Sequence, residues 1–102
     1  ATALFSYDAM VHFEYDDVIN YVSEFFRVLE PGGRALIHHS NNDSQPGNPC
    51  QENTAWRNFM SAALFSHVAR RAGFRVLDQQ VIDWSGDRNL DCISLLEKPT
   101  SQ

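Results

Sequence analysis

No run of apolar residues in this 102-residue chain approaches the roughly 18 needed to cross a bilayer, so no membrane-spanning helix is expected. Positive charge is scarce. Eight Lys and Arg stand against thirteen Asp and Glu, for a net charge of −5, and Arg70-Arg71 is the longest basic run. A binder of phosphate backbones needs a basic face, so a nucleic-acid partner is excluded. There are two cysteines, with no C-x-x-C and no metal-type Cys/His spacing. Cys50 falls in a polar stretch with Pro and Gly, and Cys92 in an apolar strand pattern. These contexts read as two free thiols in a reducing, cytoplasmic compartment. The N-terminus has no basic segment ahead of an apolar one, so no signal peptide is expected. The five glycines form no G-x-G-x-x-G and no looser G-x-G. No loop of the kind that cradles a nucleotide at a helix N-terminus is therefore present.

What is present is an ordinary globular composition, 43% hydrophobic and 21% charged. The length suits one small domain, read as residues 1–98 with a frayed polar tail at 99–102. Ala3 to Tyr7 reads as a short buried strand. Asp16 or Asp17 is expected to cap a helix whose apolar stripe is Val18, Val22, Phe25 and Leu29, with Ile19 and Phe26 alongside. Pro31 cannot continue that helix, and Gly32 and Gly33 are expected to take the positive φ angles of a turn. Ala35 to His39 reads as an interior strand. A long polar loop, residues 40–53, leaves its C-terminal end, where α/β folds place their sites. Thr54 is expected to cap a second helix with Phe59, Met60, Ala63, Leu64, His67 and Val68 inward and Gly73 at its end. Phe74 to Trp84 and Leu90 to Leu96 read as strands joined through turn residues 86–89 into an antiparallel hairpin. The order strand-helix-strand-helix-strand-strand predicts an α/β sheet with parallel members.

Two stretches carry a resemblance. "FSYDAMVHFEYDDVINYVSEFFRVLEPGGRALIHHSN" contains R-V-L-x-P-G-G between a helix and a strand, and "AGFRVL" follows the second helix. Together they resemble the second half of a class I S-adenosylmethionine-dependent methyltransferase. The resemblance covers nearly the whole chain. It implies a partial Rossmann-like methyltransferase sheet, equivalent to strands four to seven. It also implies that Tyr7, Asp8, Met10 and His12 line the cofactor and reaction cleft, with Asp8 as a hydrogen-bond acceptor and His12 as a base or substrate contact. His39, Asn41 and Asn42 would face the substrate side. Apart from the resemblance, Trp56, near the long polar loop, is a candidate to stack on substrate. The family holds its cofactor with a glycine-rich loop after its first strand, and this chain has none. S-adenosylmethionine is therefore implied only if that half is supplied from elsewhere.

Each candidate has a plainer reading beside it. Asp8 can cap a turn, and His12 can be a partly buried structural residue. Trp56, Phe59, Phe65 and Trp84 can be core or lid aromatics. His38 and His39 are adjacent on a strand and point to opposite faces, so they do not share one ion, and no metal site is read. Two functional readings stay open. One is a truncated methyltransferase-like domain, not an autonomous enzyme, acting as a dimeric binding module. The other is half of an active methyltransferase completed by another chain or segment. In the family's sheet the fourth strand lies beside the first. Without that neighbour, Ala3 to Tyr7 is an exposed edge, and a homodimer through it is expected.

Overall fold

The computed structural model describes residues 2–6, 15–42, 47, 60–84 and 86–100. Six elements follow in order: β1 (Ala3–Ser6), α1 (Tyr15–Val28), β2 (Arg34–Ser40), α2 (Ala62–Ala72), β3 (Arg75–Trp84) and β4 (Asp87–Glu97). They build one four-stranded sheet in the order β1-β2-β4-β3. β1 and β2 are parallel, joined through α1, and β4 lies antiparallel between β2 and β3. The expected α/β architecture and closing hairpin are both present. None of the described helices is long and apolar enough to cross a membrane.

One face of the sheet is covered by both helices. Val18 and Val22 at the inner side of α1, with Leu29 just past its end, meet Ala35 and Ile37 of β2, Leu96 of β4, and Phe65, Val68 and Ala69 of α2 in a single core. Burying each of the larger side chains contributes about 1.5–3 kcal/mol. The other face carries the cross-strand row Phe5, Leu36 and Leu95. Phe5 there is 73% exposed.

Local chemistry sets the boundaries, with some corrections. Asp16 and Asp17 do not cap α1; they lie inside its first turn, where their charge still suits the positive end of the dipole. After α1, Gly33 N–H donates to the Glu30 carbonyl at 2.8 Å across Pro31-Gly32. Only Gly32 of the pair has a positive φ, at +84°. Gly33 is needed for closeness instead: a Cβ there would sit 2.9 Å from the Glu30 carbonyl and 3.1 Å from that of Thr2. The turn is held against the end of β4 by Gly32 N–H to the Lys98 carbonyl at 2.7 Å and Lys98 N–H to the Gly33 carbonyl at 2.9 Å. Lys98 Nζ also donates to the carbonyls of Phe26 and Leu29, both at 2.9 Å, and so closes the C-terminus of α1.

α2 begins later than expected. Ser61 is its N-cap and accepts from Leu64 N–H at 3.0 Å; Thr54 and Phe59 lie outside the described residues. The shift rotates the inner face to Phe65, Val68 and Ala69, leaving Ala63 and His67 exposed and Met60 buried ahead of the helix. Gly73 ends α2 with φ +114°, as expected of a left-handed C-terminal residue. The hairpin turn is tighter than residues 86–89, because β4 already begins at Asp87.

Candidate functional site

Parallel strands bring their C-terminal ends to one side of a sheet, and the loops that leave there meet. Here that mouth is formed by the end of β1 at Ser6 and the longer β2, which runs on through His38, His39 and Ser40. Tyr7, Asp8, Met10 and His12, which follow β1, lie outside the described residues, as do Trp56 and Cys50. The site is therefore built from β2 and its neighbours.

His39 points to the helix-covered face and is fully buried. Its ring stacks on Phe65 with centroids 3.8 Å apart and planes 13° from parallel. Nδ1 lies 2.9 Å from the Ser40 carbonyl, which can only accept, so Nδ1 carries the proton. Nε2 must then accept, and it takes the Ser94 hydroxyl at 2.7 Å. Ser94 Oγ in turn accepts from Gln79 Nε2 at 3.0 Å, and the same nitrogen donates to the Ala62 carbonyl at 2.8 Å. Burial lowers the His39 pKa to about 4, against a smaller raising effect from the Ser40 carbonyl. His39 is thus a neutral imidazole with both nitrogens engaged inside the fold. The resemblance put it on the substrate side; the structure sets it beneath α2.

His38 turns to the opposite face, as strand alternation requires, and Nε2 donates to Asp91 Oδ2 of β4 at 2.6 Å. Both groups are buried. No cluster of three or more His, Cys, Asp or Glu side chains that could hold a metal occurs among the described residues.

Asn41 sits where three segments meet. Its backbone N–H donates to the Leu90 carbonyl at 2.7 Å, and its Nδ2 to the Asn89 carbonyl at 2.9 Å. Its Oδ1 accepts the first amide of α2, Ala62 N–H, at 2.9 Å. Asn42 is buried; its N–H donates to Ser40 Oγ at 3.0 Å, and its carbonyl accepts from Met60 N–H at 3.2 Å. The Asn41 side chain therefore fastens the mouth of the sheet to the hairpin and to α2. Sequence reasoning missed Asp91, Ser94 and Gln79. For two of them a signal was there: Asp91 and Ser94 are the polar residues in the otherwise apolar run from Leu90 to Leu96, and buried polar groups need partners.

No family model and no curated protein matches this sequence. Solved structures do. The chain is similar to the Burkholderia thailandensis 1,6-didemethyltoxoflavin-N1-methyltransferase, solved with 1,6-didemethyltoxoflavin and S-adenosylhomocysteine bound: TM-score 0.71, 20% identity, covering 96% of this chain and 44% of that one. It is similar to the [4+2]-cyclase SpnF, with TM-score 0.70, 15% identity, and 98% and 50% coverage. It is also similar to an S-adenosylmethionine-dependent methyltransferase from Methanosarcina mazei, with TM-score 0.69, 11% identity, and 98% and 60% coverage. At these identities the likeness is one of fold. The chain spans about half the length of the structures it matches.

Proposed function

We propose that this chain, which has the fold of the C-terminal half of a class I methyltransferase, supplies the acceptor-side half of such an enzyme and does not hold S-adenosylmethionine by itself. The observation that carries this is the open edge of β1. The matched structures are about twice as long, and among the described residues the sheet ends at a strand whose Phe5 is 73% exposed. No nucleotide-cradling glycine loop lies within these 102 residues, and a segment bearing one would pack at the β1 edge.

The described residues do not make a cofactor site on their own. No glycine loop exists in the sequence. His39 and the Asn41 side chain, two of the polar groups at the mouth, spend their hydrogen bonds inside the fold. What this half contributes is a rigid wall. The Asn41 clamp and the His39–Ser94–Gln79 chain fix the end of β2 so that a reacting pair brought there is held in one geometry. The same fold carries a [4+2]-cyclase, so the sheet does not dictate one reaction.

Amide spectra recorded during titration with S-adenosylhomocysteine test the assignment of the mouth. The expected result is weak, non-saturating shifts confined to the ends of β1 and β2, at Ser6 and residues 40–42. Shifts confined instead to the groove between α1 and α2, or none at millimolar ligand, would overturn it.

A further inference from the structure

β2 and β3 are each antiparallel to β4, so β1, β2 and β3 all run one way. The helices that connect them, α1 and α2, therefore run parallel to each other. Their last turns are level, because a Cβ on Gly73 would lie 2.7 Å from Phe26 Cζ. Between them lies a groove of about 250 Å³, lined by Ile19 and Ser23 of α1 and by His67, Val68, Arg71 and Ala72 of α2. Both sides of the groove belong to this chain and pack on each other, so its shape does not depend on what lies beside β1.

Residues four apart on a helix stack one turn above the other. Ile19 and Ser23 thus form one side of the groove. Val68, which is buried, and Ala72, half-buried, form its floor, and the exposed His67 and Arg71 form the other side. Its character changes along its length. One level holds Ile19, Val68 and the His67 ring. One turn further on, the Ser23 hydroxyl and the Arg71 guanidinium flank the small Ala72. The charge there is not neutralised from within the fold. Among the described residues, Arg27 pairs with Glu24, Arg34 and Arg75 pair with Glu97, and Arg70 donates to Ser66 Oγ at 3.1 Å. No described carboxylate or hydroxyl is matched with Arg71 in this way, although the chain carries a net charge of −5.

We propose that this groove binds a small organic carboxylate with a flat apolar body. The carboxylate accepts from the Arg71 guanidinium, whose planar fork suits two oxygens at once, and from the Ser23 hydroxyl. The body lies on Val68 and Ala72, between Ile19 and the His67 ring. Size selects this class. Pockets for drug-sized ligands run to roughly 300–1,000 Å³, so the groove takes a single ring with its acid group. It is one helical turn long, too short for the row of anchors over two turns that holds a docked partner helix. The site is separate from the mouth of the sheet. At 1.5 Å per residue, Arg71 stands about 14 Å along α2 from Ala62, where Asn41 is fastened. Binding there bridges α1 to α2 and needs no glycine-loop half.

Amide spectra of the whole chain during titration with sodium benzoate test this. Benzamide, which keeps the ring without the charge, and acetate, which keeps the charge without the ring, are the controls. The expected result is saturable shifts at Ile19, Ser23 and residues 67–72, with a dissociation constant on the order of 1 mM. Each control should bind at least about tenfold more weakly, and Arg71→Gln should weaken benzoate by a similar factor. Arg71→Lys, which keeps the charge but not the fork, should lose less, and Ala72→Leu should abolish the shifts by filling the floor. Arg71 is exposed, so its variants keep the fold, which their unliganded spectra check. No saturable shift up to about 20 mM benzoate, or shifts unchanged in Arg71→Gln, overturns the site. Benzamide binding as tightly as benzoate overturns the role of the charge, and acetate doing so overturns that of the apolar body. Benzoate shifts confined to Ser6 and residues 40–42 overturn the groove. None of these outcomes depends on the titration with S-adenosylhomocysteine, so the two proposals fail separately.

Discussion

Gly73→Ala should destabilise the fold by roughly 2–4 kcal/mol, a large part of the 5–15 kcal/mol typical of a small domain. Two costs combine. Gly73 ends α2 at φ +114°, where an L side chain is strained. A Cβ there would also lie 2.7 Å from Phe26 Cζ. Phe26 cannot easily yield, because its ring meets Phe74 edge-on at 5.2 Å and lies under the Lys98 ammonium at 4.5 Å. The backbone cannot yield either. Gly73 N–H donates to the Arg70 carbonyl at 3.1 Å and Phe74 N–H to the Ala69 carbonyl at 3.0 Å, the paired bonds that close the helix. Gly86→Ala separates the two costs. Gly86 has φ +88°, but nothing lies within 4 Å of the place its methyl group would take, so only the backbone cost of about 1–2 kcal/mol is expected. Urea unfolding of both variants checks this. Equal losses would show that the Phe26 contact does not matter.

The second large effect is a loss of stability in mild acid. His39 is held neutral by burial, with its pKa lowered from 6.5 to about 4. Between those values the unfolded chain binds a proton that the folded chain refuses. Stability from this source is therefore fully present above about pH 6.5. It is lost progressively as pH falls toward 4, and it levels off below that. The shift corresponds to about 3 kcal/mol. Urea midpoints measured from pH 7.5 to 4 should fall accordingly. His39→Gln, which keeps polar atoms at the site but does not titrate there, should start less stable and show a flatter profile over the same range. An unchanged slope would mean that other groups govern the acid response.

The parts of this fold that local chemistry decides are legible in the amino-acid sequence. Pro31 after an amphipathic helix, Gly73 after Arg70-Arg71, and the strand alternation that separates His38 from His39 each act within a few residues. The start of α2 is not legible in this way. Thr54 and Ser61 are both able caps, and the choice falls to a contact from outside the segment, Asn41 Oδ1 to Ala62 N–H. The candidate site is harder still. Asn41 and His39 look like groups offered to a substrate because nothing in sequence order reveals Asn89, Leu90 and Ser94 opposite them. Those neighbours exist only because β4 inserts between β2 and β3. Such pairing is a matter of long-range register, which side-chain pattern alone leaves undetermined.

Calorimetric titration of the purified chain with S-adenosylhomocysteine, with mass in solution recorded on the same sample, tests the central claim most directly. The claim is that these residues fold but do not hold the cofactor without a glycine-loop half. It predicts a folded chain that gives no saturable heat. Saturable binding at micromolar concentration would contradict it, because a cofactor site would then exist without the loop.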